Sequence, residues 1–322
     1  NISFPAQLVV RNSILREQSL ELKSVPPRID TLQRTLVSAG DVLRIQGADF
    51  QADVTAKVNE LPLEILSQSA SELIVRVPAG LKRGTLQLSN PGTGNLMPGP
   101  VIEAMPAGLS AHYAFDLDTL GGISLMPLED RTGKHSLTLK ADPDGALESP
   151  DGTVLQSARF LNASAIAENL SEFQNDFSLS GWLNTASGNS GHILSAGNAL
   201  GESLSLDLLN ASKGRPDSAQ LRLRANYKSG KSYELLSEQL APGFWHHFVL
   251  VKTAKTMSVY LNHVKLLETD DDNFFVQAPT LTLNGLDPVE RSPGFDGRLD
   301  EVMLFKRELS AAEIDTLFHF MQ

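Results

Sequence analysis

Apolar and polar residues alternate along this chain in short bursts, each closed by a turn residue. Val42-Leu43-Arg44-Ile45 alternates and stops near Gly47, Leu73-Ile74-Val75-Arg76-Val77 stops at Pro78, and Thr85-Leu86-Gln87-Leu88 stops at Asn90-Pro91-Gly92. A period of two places alternate side chains on opposite faces, so each burst predicts a half-buried strand. Strands of four to six residues at roughly ten-residue spacing, with no helical pattern between them, predict a small β-sandwich over residues 26–95. Before it, residues 1–25 alternate poorly, apart from Leu8-Val9-Val10 and Ile14-Leu15, and read as a lead-in segment that ends at Pro26-Pro27. After it, residues 96–108 are rich in proline and glycine and read as a semi-rigid linker.

From Leu109 the bursts return: AHYAFDL, SLTLK, SARFLN, FSLSGWLN, GHILSAG, SLSLDLL, AQLRLRANY and SYELLS. A hairpin follows, with strands from Trp245 to Lys252 and from Met257 to Leu261, and Asn262-His263 turns the chain into a third short strand. The last strand, Arg298 to Phe305, runs into the only helical pattern. Ser310 and Glu313 form an S-x-x-E capping box, and Ile314, Leu317, Phe318 and Met321 follow at helical spacing. A dozen strands with one terminal helix and no strand–helix alternation exclude a parallel α/β fold. They predict an all-β chain in which residues 109–322 form a two-sheet jelly roll.

Composition narrows the function classes. The 322 residues suffice for two domains, and 41% apolar with 20% charged residues suits packed cores. No apolar run reaches the length of a membrane-spanning helix. The chain begins Asn-Ile-Ser without methionine, which reads as a processed or trimmed product. It has no cysteine, which excludes disulfides, thiolate metal sites and cysteine nucleophiles. Together with the β-rich pattern this suggests a bacterial exported protein. Residues 1–105 hold ten basic and ten acidic side chains, so the whole net charge of −11 lies in residues 106–322. An acidic domain repels nucleic acid and anionic lipid and tolerates neutral glycans or divalent cations.

Two resemblances follow from these segments. PPRIDTL, AGDVLRIQGADF with Gly47 and Phe50, SASELIVRVPAG with Val77-Pro78, and GTLQLSNPGTG resemble an IPT/TIG domain, which implies an immunoglobulin-like spacer or interaction module. AHYAFDLD…LEDRTGKHSLTL, SARFLN, FSLSGWL, WHHFVLVK and FDGRLDEVMLF resemble LamG-like, concanavalin A-type jelly rolls. In that resemblance the usual Asp-Gly turn is replaced by Asn262-His263, and Trp182 and Trp245 hold positions that pack the sandwich core.

Candidate chemistry centres on carboxylates. Asp116 and Asp118 end the opening strand, Asp130 sits in the next loop, and Asp296, Asp300 and Glu301 flank the last strand. If first and last strands are neighbours, Asp116, Asp130 and Asp300 converge on a Ca²⁺ site, since that ion takes six to eight hard oxygen ligands. The bland reading has Asp300 capping backbone groups and the others in solvated turns. Glu268, Asp270, Asp271 and Asp272 read as a solvated loop, and Asp142, Asp144 and Asp151 as turn residues lacking the EF-hand order. His246 and His247 are consecutive, so a strand sends them to opposite faces, one packed and one exposed. Asn162, Asn169 and Asn210 begin N-x-S sequons.

No hydrolase signature appears. Asp300 and Glu301 are adjacent rather than spaced across a cleft, and no nucleophile elbow, zinc-binding helix motif or phosphate loop is present. The sequence therefore points away from an enzyme. It points toward an extracellular adhesion or recognition protein whose jelly-roll head binds a glycan or a cell-surface or matrix protein. A structural component of a surface assembly, pilus-associated or tail-fibre-like, and ancillary domains of a larger secreted enzyme are the alternatives.

Overall fold

The computed structural model describes residues 6–11, 17–22, 25–93, 97–115, 118–120, 123–125, 128–153, 156–185, 190–198, 202–210, 219–226, 232–270, 276–277, 279–285 and 293–320. Among the described residues it is all-β apart from a short 3₁₀ turn and one terminal helix. The chain divides into two compact units, residues 1–105 with 119–123, and residues 106–118 with 124–322.

In the smaller unit, Arg28–Leu32, Val42–Ala48, Glu72–Arg76 and Glu64–Gln68 form a four-stranded sheet. Leu36–Val37, Met97–Ala104, Gly84–Ser89, Thr55–Val58 and Leu61–Pro62 form a five-stranded one. Leu43, Ile45, Leu73 and Val75 from the first share a buried core with Val58, Leu86, Leu88 and Ile102 from the second. Gly47 is glycine for a steric reason. A Cβ there would stand 1.9 Å from the Arg28 carbonyl oxygen and 2.6 Å from the Phe50 ring. The proline-rich stretch read as a linker is instead a strand of this unit. Met97–Ala104 pairs with Gly84–Ser89, and the register shifts between Thr85 and Gln87, which leaves Gly99 and Pro100 in a bulge opposite Leu86. A bulge is where a sheet tolerates a residue that cannot donate. The lead-in segment contains an antiparallel hairpin, Ala6–Arg11 with Glu17–Leu22.

In the larger unit, a six-stranded sheet runs in the order Leu109–Tyr113, Gly297–Phe305, Phe177–Thr185, Trp245–Lys252, Thr256–Leu261, Val264–Asp270. A seven-stranded sheet runs Thr138–Glu148, Arg159–Ala167, Thr280–Leu283, Gly191–Gly197, Ser203–Asn210, Ala219–Asn226, Ser232–Leu240. The first and last strands of this unit are neighbours, as the jelly-roll resemblance implied. Leu179, Leu183, Phe248, Leu250 and Leu304 meet Leu194, Leu206, Leu208, Leu221, Leu223 and Leu283 in the core between the sheets. Burying each such side chain contributes about 1.5–3 kcal/mol.

The terminal helix, Ala311–Phe320, is held at its start by the predicted capping box. The Ser310 amide donates to the Glu313 carboxylate at 2.9 Å, and the Glu313 amide donates to Ser310 Oγ at 3.3 Å. Burial opposes ionisation of Glu313, but the hydrogen bond from Arg307 outweighs it and holds the carboxyl down at about 2. Phe318 stacks on Trp182 with centroids 5.7 Å apart, so the helix covers the outer face of the six-stranded sheet. At the hairpin turn, Asn262 and His263 both have positive φ, 46° and 62°. That backbone disfavours a side chain on His263. The ring is fixed there by stacking on Phe318 at 4.6 Å and by an Nδ1 contact of 2.9 Å to Asp315.

Candidate binding groove

Strand periodicity sends the leucines of the seven-stranded sheet inward and a polar set outward. The register aligns one residue from each strand across that outer face. Thr138, Ile166, Thr282, Ser195, Ser205, Arg224 and Glu234 are successive cross-strand partners. Beside this row lies a buried charged network. Arg222 donates twice to Asp207 Oδ2, at 3.1 and 3.0 Å, and His192 Nδ1 lies 2.7 Å from Asp207 Oδ1. These charges are paired with one another inside the unit, as burial requires.

At the other end of the same face is an open groove of about 810 Å³. Thr138–Glu148, Arg159–Ala167, the end of Thr280–Leu283 and residues 293–296 wall it. Its shape arises from one irregularity. Ala141 pairs with Ala163 and Ala146 with Leu161, so Asp142-Pro143-Asp144-Gly145 stands opposite the single residue Asn162. Gly145 is required there, because a Cβ would fall 2.4 Å from the Asn162 carbonyl oxygen. Asn162 itself adopts φ +42°, in the left-handed region that asparagine tolerates best among side-chain-bearing residues. This bulge lifts two exposed carboxylates, Asp142 and Asp144, onto the groove wall. Asn162 Nδ2 donates to Asp144 at 3.2 Å, and Asp296 on the facing wall pairs with Arg159 at 3.3 Å.

Asn284 lines the groove and is 8% exposed. Its Nδ2 donates to the carbonyls of Phe160 and Ala163 at 3.4 and 3.3 Å, and its buried Oδ1 has no hydrogen-bond partner. Leaving such an acceptor unpaired costs about 1–3 kcal/mol. Ser164 and Thr282 add hydroxyls, and Phe160, Pro293 and Phe295 add apolar surface. Neutral hydrogen-bonding groups beside apolar surface, with a few carboxylates, are suited to a polyhydroxylated ligand.

The carboxylates expected to hold calcium are placed differently. Asp116 lies outside the described residues. Asp130 is buried and receives the His112 and Thr132 amides on Oδ1, both at 2.9 Å. Its Oδ2 receives Thr132 Oγ1 at 2.7 Å and the amides of Lys134 and His135 at 3.0 and 2.8 Å. Burial pushes this carboxyl up, and those hydrogen bonds overcome it and hold it below the ordinary range. Asp130 thus anchors its own loop. Asp300 is also buried; it accepts from Thr153 N and Oγ1 at 2.6 and 2.8 Å and from the Glu301 amide at 2.8 Å. Glu301, at a register shift with φ +47°, pairs with His112 inside the unit. Among the described residues no three His, Asp or Glu side chains are grouped to hold a metal ion.

The aromatic and histidine expectations also need correction. Trp182 is buried, but beneath the terminal helix rather than between the sheets. Trp245 is only partly buried, and the Arg298 guanidinium lies 5.3 Å from its ring centroid. Both histidines of the pair are buried. His246 Nε2 reaches the Ala241 carbonyl at 3.0 Å, and His247 Nε2 contacts Ser180 Oγ at 2.8 Å with no partner for its Nδ1. Glu268 pairs with Lys265 on the surface, whereas Asp271 and Asp272 lie outside the described residues.

Comparison with known proteins places this fold. The family model of the concanavalin A-like lectin/glucanases superfamily matches residues 161–315, and a LamG/concanavalin A-like domain occupies that segment. No curated protein sequence matches the chain. Domain 4 of AbnA, a GH43 extracellular arabinanase from Geobacillus stearothermophilus, solved with arabinotriose, is 18% identical. It superposes with a TM-score of 0.51 over 66% of this chain and 98% of that domain. The binding domain of botulinum neurotoxin DC, solved with SialylT, is 12% identical, with a TM-score of 0.47 over 67% of this chain and 52% of that one. The binding domain of Paraclostridial mosquitocidal protein 1 is 17% identical, with a TM-score of 0.48 over 66% and 52%. The chain spans about half the length of these two toxin domains. At 18% identity the likeness to the arabinanase domain is one of fold.

Proposed function

We propose that the larger unit is a non-catalytic glycan-recognition head of an exported protein and that the groove on its seven-stranded sheet is the binding site. The observation that carries this reading is the groove of about 810 Å³, whose wall holds Asn284, Ser164, Thr282 and the bulge carboxylates beside Phe160 and Phe295. The fold likeness to an arabinanase domain solved with arabinotriose supports it. Binding rather than hydrolysis is supported by the engagement of Asp300 and Glu301 with internal partners. The smaller unit, with its Gly47–Phe50 packing and two-sheet core, acts as an immunoglobulin-like spacer of the IPT/TIG kind.

A glycan array probed with the whole chain and with Ser164→Trp tests the site. Ser164 is half-buried on the groove wall, and the indole fills the groove without entering the core. The wild type is expected to retain a defined set of glycans and the variant to lose all of them. Equal retention by both proteins would place recognition elsewhere, and silence of the wild type would remove the reading.

A further inference from the structure

Resting on that reading, we infer that the groove selects glycans bearing free amino groups over neutral or anionic ones. Its polar atoms are sorted by role. Asn284 uses Nδ2 on the Phe160 and Ala163 carbonyls, and its Oδ1, in a side chain more than nine-tenths buried, has no partner. Asn162 likewise turns its Nδ2 to Asp144. The two amides therefore spend three of their four N–H donors within the protein.

The charges point the same way. Asp142, Asp144 and Asp296 stand against one lysine, Lys140, on the groove wall. Asp296 is matched by Arg159, whereas Asp142 is exposed with no cation paired to it among the described residues. The surrounding unit carries the chain's net charge of −11, so its field adds to the local preference. An ammonium group is a donor with no acceptor capacity and a full positive charge, which matches an acceptor-rich, acidic groove. An N-acetyl group presents a neutral carbonyl oxygen and a single N–H, and a carboxylated or sulfated sugar meets like charge.

The test is calorimetry at pH 6 with three probes: a glucosamine oligosaccharide, its fully N-acetylated counterpart, and a sialylated glycan. The proteins are the wild type, the double variant Asp142→Asn/Asp144→Asn, and Ser164→Trp. The wild type is expected to bind the glucosamine oligomer best. The double variant, which alters only exposed side chains, should weaken that binding about tenfold, and Ser164→Trp should abolish it. Equal or tighter binding of the N-acetylated or sialylated probe overturns the inference and leaves glycan recognition standing. Undiminished binding of the glucosamine oligomer by Ser164→Trp shows general charge attraction and also overturns it. If no probe and no arrayed glycan binds the wild type, the parent reading falls as well.

Discussion

Lowering the pH from 7 to 5 should destabilise the larger unit through one buried imidazole. His247 is fully buried between Trp182 and the terminal helix. Burial, aided by the nearby His263, lowers its pKa from 6.5 to about 3. A depressed histidine pKa means that the unfolded chain binds the proton more readily. Its contribution is therefore fully present above pH 6.5 and is lost as the pH falls from there toward 3. At about 1.4 kcal/mol per pH unit below 6.5, the loss between pH 7 and 5 comes to about 2 kcal/mol. His247→Leu keeps an apolar side chain of similar size and removes the titration, so the difference between the two proteins isolates this group. Urea unfolding followed by tryptophan fluorescence is the suitable assay, because both tryptophans of the chain, Trp182 and Trp245, belong to the larger unit. Wild-type stability should fall by about 2 kcal/mol more than that of the variant over this range. Equal pH slopes in the two proteins would refute the argument.

Phe318→Ala removes the ring that stacks on Trp182 and His263, and should destabilise the larger unit by about 2–4 kcal/mol, read as a lower urea midpoint by the same fluorescence. Gly191→Ala would set a Cβ 2.3 Å from the Phe295 Cα. It should displace the segment that walls the groove and depress both glycan binding and the melting temperature. Treatment with EDTA should leave the wild-type melting temperature unchanged, because Asp130 and Asp300 hold protein donors; a drop on chelation would show that an ion takes the place of those bonds. Asp130→Ala should cost about 3 kcal/mol, the loss of a buried acceptor serving several donors, with calorimetric unfolding as the check.

The strands of both units were legible because one buried face imposes a period of two on each of them, and the helix because its cap is written in adjacent residues. Met97–Ala104 escaped because proline content reads as linker, and only pairing with Gly84–Ser89 shows that the bulge absorbs Pro100. Trp245 misled for a related reason. Alternation assigns a face but not a depth, and this residue starts its strand, where Arg298 reaches its ring. The neighbouring first and last strands were expected from the jelly-roll resemblance, yet Asp130 turns its oxygens to the amides of its own loop. Asp300, inside the last strand, accepts from the Glu301 amide and from Thr153, a partner distant in sequence that spacing alone does not reveal. The groove was least visible. Lys140, Asn162, Thr282 and Gly294 are far apart in sequence, and only register brings them together. Its one local trace was Asp-Pro-Asp-Gly, which reads as a turn and is in fact the bulge of a long strand.

That bulge separates two kinds of inheritance. Leu139 and Leu147 on either side of it both pack against the core, and strand pairing resumes past it at Ala146. Gly145 is fixed by its close approach to Asn162, but Asp142, Pro143 and Asp144 are exposed and can be exchanged while the flanking pairs keep the sheet in phase. The chemistry of this stretch of the groove wall is therefore carried by three exposed residues, and it can change without altering the sandwich beneath them.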